Sequence, residues 1–176
     1  LHRVREGGKP PPPARLLTVD PGGTTGWALW LDGLPNTCGQ IDTAESDAAL
    51  EKLLDQKQPD LVICEAYVLY PWKADSQAWS DFQTPRLIGS LQTMCRHRQI
   101  PLIMQGADKK TFATDIKLKG WGFYQKSHRH ANDAIRHGIY YLLFGVGTAK
   151  AEPMKPKPAG GQNSSRRMRR KPTKED

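Results

Sequence analysis

No apolar stretch of this chain approaches the roughly 20 residues that a membrane-spanning helix needs. Its first residues carry Arg3, Arg5 and Lys9 and lack the apolar core of a secretory leader. The expectation is a soluble, cytoplasmic protein with no membrane partner, and the start on Leu1 rather than Met fits a trimmed N-terminus. Cysteine is scarce as well. Cys38, Cys64 and Cys95 are odd in number and form no CxxC pair, which argues against a disulfide framework or a zinc site and for free thiols in a reducing compartment. No internal repeat is present. The 176 residues, 38% apolar and 25% charged, suit one globular domain with a real core and leave little room for a two-domain enzyme.

The formal charge of +8 suggests a nucleic-acid partner until it is divided along the chain. Residues 148–176 carry +6 and residues 1–15 carry +3, leaving −1 for 16–147. Both tails are rich in Pro, Gly, Ser and basic residues and too poor in apolar ones to fold alone. The expected organisation is a flexible basic arm over 1–14, a folded domain over 15–147 and a disordered basic tail over 148–176. Within that tail Arg166, Arg167, Arg169, Arg170 and Lys171 form a dense run, read here as a polycationic grip on phosphates. A solubilising extension and, in a eukaryote, a nuclear address signal remain the alternatives.

The folded part begins with RLLTVD (15–20), a short apolar run ending in a carboxylate and the turn residues Pro21-Gly22-Gly23. TGWALWLD (25–32) and TCGQID (37–42), separated by Gly33 and Pro35, read as two strands of an antiparallel meander. Leu50, Leu53 and Leu54 repeat at helical spacing over 44–57, and Pro59 is expected to stop that helix. DLVICEA (60–66) is continuously apolar, as a central strand covered on both faces should be. Thr84-Pro85 opens a helix bearing Leu87, Ile88, Leu91, Met94 and Cys95 on one side. IPLIMQ (100–105) is a fifth strand, a short helix is expected over 108–118, and a last helix over 129–144. Three antiparallel strands followed by parallel ones, with helices on both faces, define an α/β sheet of five strands.

Three acids occupy unusual places in this plan. Asp20 ends the first strand, Glu65 ends the fourth, and Asp133 lies on the last helix. Strands one and four should be neighbours, so both carboxylates emerge at one edge, where the helix brings Asp133. Crowded carboxylates repel unless a hard cation neutralises them, and Mg²⁺ or Mn²⁺ takes oxygen ligands. This is the layout of a two-metal phosphodiesterase. His130, Asp133 and His137 share a helix face at i, i+3 and i+7, with Ala131, Ile135, Gly138 and Leu142 opposite. His130 is placed to ligate a metal or carry a proton; His128 and His137 read as surface histidines. Each acid taken singly has a plain reading, as a turn residue or a sheet-edge charge.

The stretches LLTVDPGGTTGWAL (16–29), LVICEAYVLYPWKADS (61–76), TPRLIGSLQTMCRHRQIPLI (84–103), GADKKTF (106–112) and HRHANDAIRHGIYYL (128–142) together resemble the RuvC-type Holliday-junction resolvases of the RNase H-like superfamily. The resemblance implies an RNase H-like mixed five-stranded sheet. It also implies a homodimeric, metal-dependent endonuclease that cuts four-way DNA junctions by paired nicks, leaving 5′-phosphate and 3′-OH ends. Two Mg²⁺ ions per site, replaceable by Mn²⁺, go with that activity. The family's carboxylates fall on Asp20, Glu65 and Asp133, and the position that is Asp in some members and His in others falls on His130. Its phosphate-holding basic residue falls on Lys109 or Lys110. An aromatic that wedges into the crossover falls on Tyr67 or Tyr70, and Trp72 and Lys73 lie in the same stretch as candidate DNA contacts; Trp79 reads as packing. The turn from Asp20 to Gly26 is one residue short, the Asp20–Glu65 interval is compact, and the basic tail is not a family hallmark, all of which resembles phage-encoded relatives.

Rival readings are a broader branch, flap or RNA/DNA-hybrid nuclease and a catalytically inactive junction-binding protein. DPGGTTG also looks like the phosphate loop of actin-like ATPases and sugar kinases, but those need a second lobe.

Overall fold

The computed structural model describes residues 12–68 and 83–145. In chain order come β1 (Arg15–Asp20), β2 (Thr24–Leu31), β3 (Leu34–Asp42), a 3-10 turn (Thr43–Glu45), α1 (Ser46–Lys57) and β4 (Leu61–Glu65). Then follow α2 (Gln83–His97), β5 (Leu102–Gln105), a second 3-10 segment (Ala107–Phe112), α3 (Asp115–Gly120) and α4 (Arg129–Phe144). The five strands form one sheet in the order β3-β2-β1-β4-β5. β1 to β3 run antiparallel, whereas β4 runs parallel to β1 and β5 parallel to β4. This is the mixed sheet expected from the sequence.

The continuous apolar strands are explained by a core on each face. Alternation along β1 and β4 sends Leu17, Val19, Val62 and Cys64 toward α1 and α2, and Leu16, Leu61 and Ile63 toward α4. Every one of these side chains is buried, each worth about 2 kcal/mol of transfer free energy. Thr18 shares the α4 face and is fully buried; it accepts from the Trp30 indole N–H at 3.2 Å and donates to the Ala28 carbonyl at 3.2 Å. The pair shows how a polar atom survives in that layer. Gly138 of α4 lies against the Trp30 ring, where a Cβ would overlap the indole.

Three local readings change. The β2–β3 link is not a loop through Gly33 and Pro35 but a two-residue turn at Asp32-Gly33, both with positive φ (50° and 82°), the geometry that matches strand twist in a hairpin. Pro35 lies inside β3 opposite Trp30, beside a register shift, and is tolerated because β3 is an edge strand. Gly33→Ala is expected to lower stability by about 1 kcal/mol, read as a lower urea midpoint at unchanged slope. The helix expected over 108–118 breaks in two, because Thr114 is extended (ψ 163°) and its hydroxyl accepts the Lys117 N–H to cap α3. Last, α1 stops at Lys57 through a left-handed Gln58 whose N–H reaches the Leu54 carbonyl, so the stop precedes Pro59.

Cys38, Cys64 and Cys95 are free, the last two buried. Among the described residues no helix is long and apolar enough to cross a membrane.

Candidate active site

A row of residues crosses the sheet where β1, β4 and β5 end. Gln40 pairs with Gly26, Gly26 with Asp20, and Glu65 with Gln105; the Val19–Cys64 pairing places Asp20 and Glu65 side by side. Period-two alternation puts Asp20 on the face of Leu16 and Thr18, and Glu65 on the face of Leu61 and Ile63, which is the α4 face. Helix α4 comes down onto this row at Gly26. A Cβ there would overlap the backbone carbonyl of His130, so only glycine lets the first turn of α4 approach. Gln40 fixes the same turn by accepting the His130 backbone N–H at 2.8 Å.

Close approach of α4 completes a cluster of three carboxylates around one ammonium. Lys110 Nζ lies 2.8 Å from Glu65 Oε2, 3.3 Å from Asp133 Oδ2 and 3.4 Å from Asp20 Oδ1. His130 Nδ1 lies 3.0 Å from Asp20 Oδ2. Arg136, one turn beyond Asp133, pairs with its Oδ1 and with Asp115, and donates from Nε to the Ala113 carbonyl at 2.8 Å. Asp20 and Asp133 are buried, and burial of charge demands compensation. Among the described residues, Lys110 and Arg136 are the Lys and Arg side chains touching this cluster, and Arg136 is shared with Asp115, so the three carboxylates outnumber them.

The electrostatics follow from these contacts. Burial pushes the Asp20 carboxyl up, and the neighbouring Glu65 pushes it further, against the pull of Lys110 and His130. Burial would raise Glu65 too, but hydrogen bonds from His137 and Lys110 prevail and hold it below the usual carboxylate range. Lys110 resists its own burial because it is bonded to Glu65 and faces the charges of Asp20, Glu65 and Asp133, so its ammonium is held above its ordinary value.

Donor atoms fall into two overlapping sets, Asp20–His130–Asp133 and Asp20–Glu65–His137, each with all atoms within 4.8 Å of one another; in the second set His137 Nε2 is engaged by Glu65 Oε2 at 2.7 Å. Asp20 is common to both. Oxygen donors with an imidazole suit Mg²⁺ or Mn²⁺, and the Lys110 ammonium stands where the three carboxylates call for positive charge. The residues present therefore fit a divalent cation.

Asp20, Glu65, His130, Asp133 and Lys110 thus come together. Lys109 does not: it pairs with Asp108 at 2.8 Å and lies over the Tyr140 ring, 5.5 Å from its centroid. Tyr67 is exposed, just beyond β4. Tyr70, Trp72, Lys73, Trp79 and the run Arg166, Arg167, Arg169, Arg170 and Lys171 lie outside the described residues. His128 is exposed, as expected. His137 is not a surface histidine: its side chain is fully buried, with Nε2 at 2.7 Å from Glu65 Oε2 and Nδ1 against Gln105 Oε1. The helix face judged by spacing alone carries His137 inward because α4 is covered almost all round in its middle turns. Gln40, Gln105 and Arg136 were also missed. Gln105 had a signal, since it closes the fifth apolar run as Glu65 closes the fourth.

No protein-family model matches the chain, and no curated relative does. Solved structures do. RuvC from T. thermophilus, in complex with a Holliday junction substrate, superposes with a TM-score of 0.59 at 14% identity, covering 74% of this chain and 96% of RuvC. A second T. thermophilus RuvC structure gives 0.58 over the same shares. The yeast mitochondrial Holliday junction resolvase Ydc2 gives 0.50 at 12% identity, over 74% of this chain and 78% of Ydc2. The chain therefore has the RNase H-like fold of RuvC-type resolvases.

Proposed function

We propose that this protein is a metal-dependent, structure-selective DNA endonuclease that resolves four-way junctions by paired symmetric nicks, acting as a homodimer. The observation that carries the reading is the closure of Asp20, Glu65 and Asp133 on one ammonium at the edge of a sheet shared with RuvC.

Asp20, Glu65, Asp133 and His130 would hold the cations, two Mg²⁺ per site with Mn²⁺ as substitute. Bound there, they lower the pKa of water and neutralise charge developing on the phosphate. The residues of the chain do the rest. Arg136 and Gln40 fix the α4 side of the cluster, so Asp133 and His130 keep their places. His130 holds Asp20 through Nδ1, and its side chain, 35% exposed, can exchange a proton there with solvent. Lys110 offers its ammonium to the scissile phosphate at the same edge. Attack of water oxygen on phosphorus breaks the bond to O3′, giving a 5′-phosphate and a 3′-OH. Tyr67, exposed just past Glu65, is placed to stack on an unpaired base; Tyr70, Trp72 and Lys73 would extend that contact.

The test is cleavage of a labelled immobile four-way junction in Mg²⁺ and Mn²⁺, beside linear duplex, flap and RNA/DNA hybrid. Paired nicks confined to the junction support the reading. Equal cutting of every branched substrate makes the protein a general branch nuclease, and binding without metal-dependent cutting makes it a junction-binding protein.

For the C-terminal segment, the expected result is electrostatic. Deleting residues 148–176 removes nine Lys/Arg and should weaken binding to every DNA shape by about tenfold or more at physiological salt, with a shallower salt dependence. An unchanged salt slope would reduce the tail to a solubility device.

A further inference from the structure

Among the described side chains paired within the carboxylate cluster, the imidazole of His137 is the most buried. It is fully buried on the sheet side of α4, one turn beyond Asp133. Its two nitrogens are both engaged, Nε2 with Glu65 Oε2 at 2.7 Å and Nδ1 with the Gln105 side-chain amide. Glu65 and Gln105 face each other in the β4–β5 register, so the imidazole bridges the ends of two neighbouring strands from the helix above. Glu65 lies at a strand end, where its neighbour Ala66 gives only a backbone bond to Gln105. Nothing in the strand itself fixes the rotation of its carboxylate.

Resting on the nuclease reading above, we propose that His137, steadied by Gln105, is a positioning residue that sets the orientation of the Glu65 carboxylate for cation binding. A carboxylate oxygen facing Nε2 accepts its N–H. Nδ1 then either accepts an N–H from the Gln105 amide, turned about its last torsion, or, as an imidazolium, donates to the Gln105 oxygen. In both arrangements Glu65 is the acceptor and cannot swing away without stranding a buried N–H. Partners of this kind, behind a ligating carboxylate, commonly change metal affinity by about 10–100-fold. The role differs from that of His130, which is partly exposed and bonded to Asp20.

The test measures Mn²⁺ binding to the full-length protein, from the free-ion electron paramagnetic resonance signal, together with metal-free binding of a four-way junction and cleavage against Mn²⁺ concentration. His137→Ala is expected to weaken Mn²⁺ binding about 10- to 100-fold and to raise the half-saturating Mn²⁺ for cleavage in parallel. Junction binding without metal should stay within about twofold. His137→Gln, which restores an N–H donor, should recover part of the loss. Gln105→Leu should weaken Mn²⁺ binding less than His137→Ala; it leaves the Glu65 contact untouched and guards against a variant that merely folds poorly. If wild-type protein binds Mn²⁺ while His137→Ala and Gln105→Leu bind it equally well, the positioning role is overturned and the nuclease reading stands. If wild-type protein neither binds Mn²⁺ nor cuts, both fall together.

Discussion

Asp20→Asn is expected to lower junction cleavage by at least about 10³-fold while leaving junction binding within a few fold of wild type. Asp20 is the residue common to both sets of ligand atoms, and it touches both Lys110 and His130. The amide keeps the volume and one acceptor but removes the charge. Glu65→Gln and Asp133→Asn should behave alike, because each is a carboxylate contacting Lys110. Stability should move the other way. Burial raises the folded-state Asp20 carboxyl above its ordinary value, so its ionised form costs the fold something at pH 7. That cost is absent below about pH 4, the ordinary carboxyl value, and grows as pH rises through the raised one. Asp20→Asn should therefore keep or raise Tm at pH 7, and the gain should vanish in acid. Cleavage by Asp20→Asn at the wild-type rate would remove this residue from the site, and a sharp fall in Tm would show that the loss of cutting was only unfolding.

Gly26→Ala carries the second large effect, although Gly26 has no chemistry of its own. The added methyl group would lie on the His130 carbonyl and against the Ala131 nitrogen, backbone atoms that cannot rotate aside. Either α4 lifts from β2 or the strand bends, and overpacking of this kind costs about 1–3 kcal/mol. Because α4 carries His130 and Asp133, any lift also opens the carboxylate cluster. We expect a clear drop in Tm and a loss of cleavage larger than the drop explains at temperatures where the variant remains folded. Gly23→Ala, where a Cβ meets open space and φ is not positive, is the matched control and should change neither. Full activity in Gly26→Ala would show that the contact relaxes easily and that α4 is not held by close packing.

These positions illustrate what the sequence reveals and what it hides. β1 is legible to the residue because its apolar run ends sharply at Asp20 and Pro21. The order of the strands follows from one antiparallel meander and two helical crossovers. Asp20, Glu65 and Asp133 could be placed together because strand ends and helix faces obey fixed periods. The break at Thr114 was hidden, since a capping threonine looks like any other residue within a short polar helix. So was the inward face of His137: helical spacing tells which residues share a side, but how much of that side is covered depends on where α4 settles over Gly26. The choice between Lys109 and Lys110 was likewise undecidable from adjacent positions, and is made by the 3-10 geometry of Ala107–Phe112, which turns one toward Asp108 and the other toward the carboxylates.

The four parts of the cluster come from widely separated points of the chain, Asp20 first, then Glu65, Lys110 and finally α4 with His130, Asp133, Arg136 and His137. A nascent chain emerging from the ribosome therefore exposes the strands long before the helix that closes the site. Until Asp133 is clear of the exit tunnel, the half-made protein exposes at most two of its three carboxylates, and a fragment that ends before α4 carries no complete cluster. Vectorial synthesis thus leaves the completion of the cluster to the last helix, after every strand of the sheet has been made.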